Sequence, residues 1–460
     1  MYNPDATIAA IATPPGKGGV ALIRVSGKDA VRTVAPCVRL RSGLSLNELP
    51  PRRTAYADFY ENGEIIDDVL VTVFRAPHSY TGEDTVEVSC HGGTLLTRTV
   101  LASLLAAGAI LAEPGEFTRR AMLSGRLTLT EAEGIGSLLE AKSRAQLSLS
   151  AAPARTRLSR SLADLRASLL ALISTLYAKI DYPEEDLADL SDAEICSSLS
   201  ALLSDIDKLL RTYATGHAIN EGIPTVLCGA PNVGKSSLYN LLTGEELAIV
   251  TEHAGTTRDV LSVTASAGRV LLHLSDTAGL RESNDPVEQI GVSRSRTQMD
   301  AAELLLAVFD GTRVLGESDR ALLSYLKDCE KCTVAIINKT DKDICIEEAE
   351  IASATTNIVH LSAKTGEGRE DLIACIEHLF TDETLVLGNE GILSSARQHA
   401  ALLRAREAVV RSYNAFSCGY PADLASSDLE LALAEFSALD GHTVNEEIIN
   451  DIFSRFCLGK

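Results

Sequence analysis

The sequence predicts a multidomain α/β plus α protein: an N-terminal α+β domain, then a helical domain into which a phosphate-loop domain with a mainly parallel sheet is inserted. Three observations carry this expectation. Short apolar strands alternate with helical stretches from Thr225 to near Phe380, the pattern of a parallel sheet with helices on both faces. Helical patterning flanks that block on either side. Inside it, residues 229–236 read GAPNVGKS, which fits the phosphate-loop pattern G-x-x-x-x-G-K-[ST].

At 460 residues the chain exceeds what one hydrophobic core organises. The expected domains are 1–120, a first helical part at 121–222, the nucleotide domain at 223–380 and a second helical part at 381–460. In the first domain, ATIAAIAT, VALIRVSG, DDVLVTVFRA and DTVEVSC read as strands, punctuated by PPGKGG and HGG. The string Gly16-Lys-Gly-Gly19 fits the GXXG loop of an RNA-binding KH fold, but it runs into a strand where that fold requires a helix. From Leu158, apolar residues at 158, 162, 165, 169, 172, 176 and 180 lay one stripe along a helix. Asp181-Tyr-Pro183 ends it, because proline cannot continue the hydrogen-bond ladder. A second helix follows on Leu199, Leu202, Leu203, Ile206, Leu209 and Leu210.

Net charge is −21, and residues 223–380 alone carry 24 acidic against 14 basic residues. A protein that clamps a long stretch of phosphate backbone usually has a basic surface. A nucleic-acid partner of this chain must therefore be held locally, recruited through another protein, or bound weakly. The start MYNPDATIAA lacks the basic residues of a signal peptide, and the apolar run from Val100 to Ala112 falls short of the roughly 20 residues that cross a bilayer. A cytoplasmic protein with no membrane partner is expected, with its ten cysteines reduced. Cys329 and Cys332 have C-x-x-C spacing, but no second pair completes a zinc site.

In TVLCGAPNVGKSSLYNLL a strand enters a glycine-rich turn that opens a helix. Backbone N–H groups and the helix N-terminus favour phosphate there, Lys235 places its charge on the β- and γ-phosphates, and the Ser236 hydroxyl can ligate Mg²⁺. Three further strings turn a nucleotide site into a guanine-nucleotide site. Asn338-Lys339-Thr340-Asp341 follows a strand, and the Asp341 carboxylate can accept two hydrogen bonds from a guanine edge. Asp276, Thr277, Ala278 and Gly279 follow VLLHLS and supply an aspartate near the metal and a glycine amide near the γ-phosphate. Ser362, Ala363 and Lys364 suit a loop over the base.

Residues 243–282 resemble the GTPase branch that contains Era and the MnmE family of tRNA-modification GTPases. The MnmE resemblance extends over the whole chain through ATPPGKGGVALIRVSG, SYTGEDTVEVSCHGG, PGEFTRRAMLSGRLTLTEAEGI, DYPEED and the terminal FCLGK, one aliphatic swap from the family's FCIGK. It implies GTP contacts at Asn232, Val233, Gly234, Lys235, Ser236 and Ser237, and at Thr251, Glu252, His253, Ala254, Gly255, Thr256 and Thr257. The motif residues above, Asp276 to Gly279, Asn338, Lys339, Asp341 and Ser362 to Lys364, complete that set. Leu280 stands where Ras-type proteins have a water-orienting glutamine, so hydrolysis is organised otherwise. The resemblance assigns K⁺ to Asn232, Thr251, His253 and Thr256, Mg²⁺ to Ser236 and Thr257, and catalytic roles to Glu288, which orients the attacking water, and Lys235.

The same resemblance implies that the first domain binds a tetrahydrofolate derivative through Arg24, Glu87, Arg126 and Lys460, with Cys457 in the one-carbon chemistry. On residue type alone, Glu288 reads as a solvated carboxylate, Cys457 as a small buried residue, and the folate set as surface charges. The family implies a homodimer that works with the FAD-dependent protein MnmG to add a carboxymethylaminomethyl or aminomethyl group to the wobble uridine of certain tRNAs. Two rival readings stay open: an Era-like RNA- or ribosome-assembly switch, and a one-carbon folate enzyme regulated by GTP. The lack of a KH domain after the nucleotide block weighs against the first.

Overall fold

The computed structural model describes residues 3–181, 191–244, 262–275, 298–441, 446–454, 456 and 459. The chain divides into two units, Met1–Gly136 with Phe436–Lys460, and Ser137–Glu435.

In the first unit, strands β1 (Ile8–Ile11), β2 (Val20–Ser26), β3 (Val38–Leu40), β4 (Thr54–Glu61), β5 (Glu64–Phe74), β6 (Thr85–His91) and β7 (Ile110–Leu111) form one sheet in the order β3-β4-β5-β6-β2-β1-β7. Strict alternation decides its two faces. Ala21, Ile23 and Val25 of β2, Val69, Val71 and Val73 of β5, and Val86, Val88 and Cys90 of β6 are buried together under the helix Thr94–Ala106, which contributes Val100 and Leu104. Arg24 and Glu87 project from the opposite face. The sequence reading found β1, β2, β5 and β6 but missed the short β3 and β7 and also β4, although the signal for β4 was present. Asn62 and Gly63 adopt φ of 52° and 89°, the positive angles of a tight hairpin turn for which Asn-Gly is the favoured pair.

The chain's end returns to this unit. The helix Glu446–Ser454 delivers Ile449 and Phe453, which pack with Phe456 against Met122, Leu129, Ala132 and Ile135. Gly459 has φ +92°, and a Cβ there would lie 2.4 Å from the Ile11 carbonyl oxygen. Only glycine lets the tail approach the end of β1 this closely.

In the second unit, the leucine stripe behaves as its spacing predicts. Leu158, Leu162, Leu165, Leu169, Leu172 and Leu176 are all buried along the helix Ala152–Asp181. By length and composition this helix could also cross a membrane, but the stripe from Leu158 to Leu176 is one buried face beside exposed positions such as Leu170, as on a packed amphipathic helix. The next helix, Asp192–Arg211, begins with a capping box between Ser191 and Glu194 and buries Leu199, Leu202, Ile206 and Leu209.

Strands β8 (Ile223–Cys228), β9 (Ser262–Ala267), β10 (Val270–Ser275), β11 (Leu304–Asp310), β12 (Cys332–Asn338) and β13 (Ile358–Leu361) form the second sheet, in the order β13-β12-β11-β8-β10-β9. All pairings are parallel except β9 with β10. Because both faces are covered, the central strands are apolar throughout. Leu304, Leu306 and Val308 pack with Leu238, Leu242, Leu372 and Ile376 on one face, and Leu305, Ala307 and Phe309 pack with Leu323, Leu326 and Ile351 on the other. The sequence reading missed β9, an antiparallel edge strand of small and hydroxyl residues without an apolar run. Among the described residues every cysteine is a free thiol, including Cys329 and Cys332.

Candidate functional site: a phosphate loop and a guanine-side platform

Strand β8 ends at Cys228, the loop 229–234 follows, and the helix Lys235–Thr243 begins at once. An open parallel sheet presents its ligand crevice at the carboxyl ends of its strands. Here β8, β11, β12 and β13 bring the phosphate loop, Asp310, the segment 338–341 and the segment 362–364 to that edge.

Asn338 ties these pieces together. It is 2% exposed, its Nδ2 donates to the Val233 carbonyl at 2.8 Å, and its Oδ1 accepts from the Ala363 N–H at 2.9 Å. One amide thus fixes the phosphate loop against the segment 362–364. Gly234 is the position that allows this: it has φ +102°, and a Cβ there would lie 2.1 Å from Asn338 Nδ2.

Lys339 adds a second tie. Its Nζ donates to the Asn232 carbonyl at 3.0 Å and to Asp310 Oδ2 at 2.6 Å. Asn232 and Lys339 both have positive φ, 62° and 70°, a conformation that costs free energy and persists only where surroundings enforce it. Burial pushes the Asp310 carboxyl up, but the Lys339 ammonium and the Thr312 hydroxyl and N–H outweigh it and hold it below the usual carboxylate range. Asp310 was not singled out in the sequence. Its signal is the acidic residue that closes the apolar strand LLLAVFD.

Lys235 Nζ sits in the loop, donating to the Gly229 and Ala230 carbonyls at 2.8 Å each. Burial lowers its pKa, so the site holds a partly desolvated cation where electrostatic attraction for phosphate is stronger than in water. Ser236 and Ser237 are exposed on the first turn of the helix, and Asn232 is exposed at the loop tip. Asp341 is exposed and accepts from Ser362 Oγ at 2.8 Å, a bond that keeps its carboxyl below the usual range. Ser362 is itself fully buried and so orients the carboxylate, while Lys364 lies exposed beside it. Cys228, at the loop's base, is pushed up to about 12 by burial, so its thiol stays protonated and inert.

The sheet of the first unit carries the second group of sequence candidates. Arg24 and Glu87 are directly opposite in the β2–β6 register, and Arg24 Nε and Nη2 donate to Glu87 Oε1 at 2.9 and 2.8 Å. The guanidinium lies 5.7 Å from the ring centroids of both Tyr80 and Phe117, and its Nη1 reaches the Gly459 carbonyl at 3.5 Å. Gly459 thus meets this pair. Arg126 is exposed and makes no side-chain hydrogen bond or ion pair among the described residues. Thr251 to Thr257, Asp276 to Gly279, Glu288, Cys457 and Lys460 lie outside the described residues.

A doubly wound sheet with this loop at its carboxyl edge defines the class: the protein is a P-loop GTPase, a GTP hydrolase. Comparison with known proteins narrows the class. Residues 129–457 match the profile of the MnmE helical domain, and residues 7–126 match that of the GTP-binding protein TrmE N-terminus. The protein named tRNA modification GTPase MnmE in Thermotoga petrophila is 38% identical, over 99% of this chain and 100% of its own. Those of the same name in Moorella thermoacetica and Lactobacillus delbrueckii subsp. bulgaricus are 40% and 37% identical, over 99% of this chain and 100% and 98% of their own. The chain belongs to the MnmE family.

Proposed function

We propose that this chain is a potassium-stimulated GTPase of tRNA wobble-uridine modification. It would act in the cytoplasm as a homodimer with the FAD-dependent protein MnmG, adding a carboxymethylaminomethyl or aminomethyl group whose carbon comes from a methylene-tetrahydrofolate. The observation that carries the GTPase part is the Asn338 bridge, which holds the phosphate loop and the base-side segment in one frame. The names and full-length coverage of the relatives support tRNA as substrate.

Within that frame Lys235 binds the β- and γ-phosphates, and Asp341, pre-oriented by Ser362, pairs with the guanine edge. The Ser236 hydroxyl is exposed and makes no hydrogen bond among the described residues, which fits a ligand to Mg²⁺; Thr257 would complete the pair. The exposed Asn232 side chain fits K⁺, with Thr251, His253 and Thr256. When bound, K⁺ would supply positive charge against that building up between the phosphates, the task of an arginine finger in other GTPases. Glu288 would orient the attacking water. Arg24 and Glu87, with Arg126 and Lys460, would hold the folate: carboxylates suit the donors of a pterin edge, and Arg and Lys suit its anionic glutamate tail. Cys457 would serve the one-carbon step.

The test is one complementation experiment. A strain lacking this protein receives wild type or Asp341→Asn, and its tRNA nucleosides are measured by mass spectrometry. The purified proteins are assayed on GTP and XTP in K⁺ and in Na⁺. Wild type should restore the modified wobble uridine and turn over GTP faster in K⁺, while the variant should prefer XTP and fail to restore. Normal wobble uridine without the protein would remove the tRNA assignment, equal rates in both salts the potassium assignment, and an unchanged GTP preference the role of Asp341.

A further inference from the structure

Glu221 stands where the helix Tyr213–Asn220 gives way to β8, and three elements converge on it. Its main-chain carbonyl accepts from His273 Nε2 of β10 at 2.5 Å. Its carboxylate accepts from the N–H of Ala396, the first residue of the helix Ala396–Ser417, at 3.2 Å. The same carboxylate pairs with His217 Nδ1 at 3.1 Å. His273 is itself fixed: Nε2 donates to Glu221, so Nδ1 is left to accept from Thr264 Oγ1 of β9 at 3.3 Å. Strand β10 runs directly into Asp276–Gly279 in the sequence, the segment read as facing the metal and the γ-phosphate.

The surroundings make this a stiff joint rather than a casual contact. His217 is flanked by Tyr213 of its own helix, Glu221 at that helix's end, Glu303 just ahead of β11 with its carboxylate 3.9 Å from Nε2, and His399 of the helix Ala396–Ser417. Tyr213 and His399 stack with ring centroids 3.8 Å apart and planes 5° from parallel. Chiefly through its bond to Glu221, and with help from Glu303, His217 titrates above the usual histidine range. The neighbouring Asn220 also donates to the Ser394 carbonyl at 3.4 Å. A shift of β10 along its own axis would therefore pull on Glu221, and through its carboxylate on the first turn of the helix Ala396–Ser417.

We propose that Glu221 is the coupling residue that transmits the nucleotide state from β10 to the helix Ala396–Ser417. This rests on the reading of the chain as a GTPase whose hydrolysis cycle does mechanical work. Neither Glu221 nor His273 is among the residues assigned to the nucleotide; they act by position.

Hydrogen exchange of the full-length protein, read by mass spectrometry on peptides from residues 396–417, tests this in GDP and in a non-hydrolysable GTP analogue. In wild type, exchange at the start of this helix should differ between the two nucleotides by several fold. Glu221→Ala and His273→Ala should each abolish that difference while GTP affinity stays within about twofold. If Glu221→Ala merely frays the helix, exchange rises equally in both states and the difference survives, which overturns the proposal. A wild-type protein that binds both nucleotides without any difference at 396–417 overturns it too. Failure of wild type to bind GTP at all would instead bring down the GTPase reading.

Discussion

The phosphate-loop site and the Arg24–Glu87 site are built on opposite plans. At the phosphate loop, main-chain groups and the neutral amide of Asn338 fix the frame, and among the described residues the Lys235 ammonium donates to two carbonyls that a phosphate can outbid. On the first sheet, the charges of Arg24 and Glu87 are already paired with each other across neighbouring strands. A ligand at the first site gains a desolvated cation; a ligand at the second must insert into an existing ion pair. A frame made of consecutive main-chain groups is written as one contiguous string, whereas a cross-strand ion pair is not.

The largest loss is expected from Lys235→Ala. Removing a preorganised charge that faces the reacting phosphates should cut GTP turnover by roughly 10²–10³-fold, read by steady-state phosphate release, with tetrahydrofolate binding unchanged. A fall in folate binding as well would show that the two sites are not independent.

Asn338→Ala should come next. It leaves the buried Val233 carbonyl and the Ala363 N–H without their partner, at a cost of about 1–3 kcal/mol for each buried group left unpaired. GTP affinity should drop at least about tenfold, and the melting temperature should fall with it. Unchanged affinity in calorimetric titration would reduce Asn338 to a bystander.

Arg24→Ala should weaken binding of a tetrahydrofolate derivative by about tenfold, equivalent to one charge-assisted hydrogen bond, and spare GTP turnover. If folate binding survives, the Arg24–Glu87 pair is purely a cross-strand brace.

The smallest expected effect concerns acid. Asp310 titrates below its unfolded value because Lys339 and Thr312 outweigh its burial. Its contribution to stability is therefore present above the unfolded carboxylate range and is lost as pH falls through the depressed folded value. Melting temperature followed from pH 7 downward should decline in that window by roughly 2–4 °C for each kcal/mol lost. Lys339→Met should flatten that decline; an identical acid profile in the variant would mean that the Lys339–Asp310 contact does not set it.

Local sequence carried much of this molecule. The leucine spacing from 158 to 176 set a buried helix stripe, and the parallel strands followed from apolar runs between helices; the stop expected at Pro183 lies outside the described residues. The phosphate loop was legible because its chemistry needs consecutive backbone N–H groups, a lysine and a hydroxyl, and so must be written as one string. Strand β4 was missed because tyrosines and acids alternate with its two buried residues, Ala57 and Phe59, and mask a half-buried strand, although the Asn62-Gly63 turn marked it.

Tertiary structure decided what distance along the chain hides. Arg24 and Glu87 lie 63 residues apart, and only the β2–β6 register sets them face to face. Asn338 looks in sequence like part of a base-reading motif, yet in space its amide is a strut between the loop at Val233 and the segment at Ala363, which are 105 and 25 residues away. Glu221 carries no motif, and it became a junction because β10 and the helix Ala396–Ser417 meet beside it. The physical reason is the same in each case. Periodicity and backbone chemistry act between near neighbours, whereas the partner that satisfies a buried amide or a charged side chain is chosen by packing.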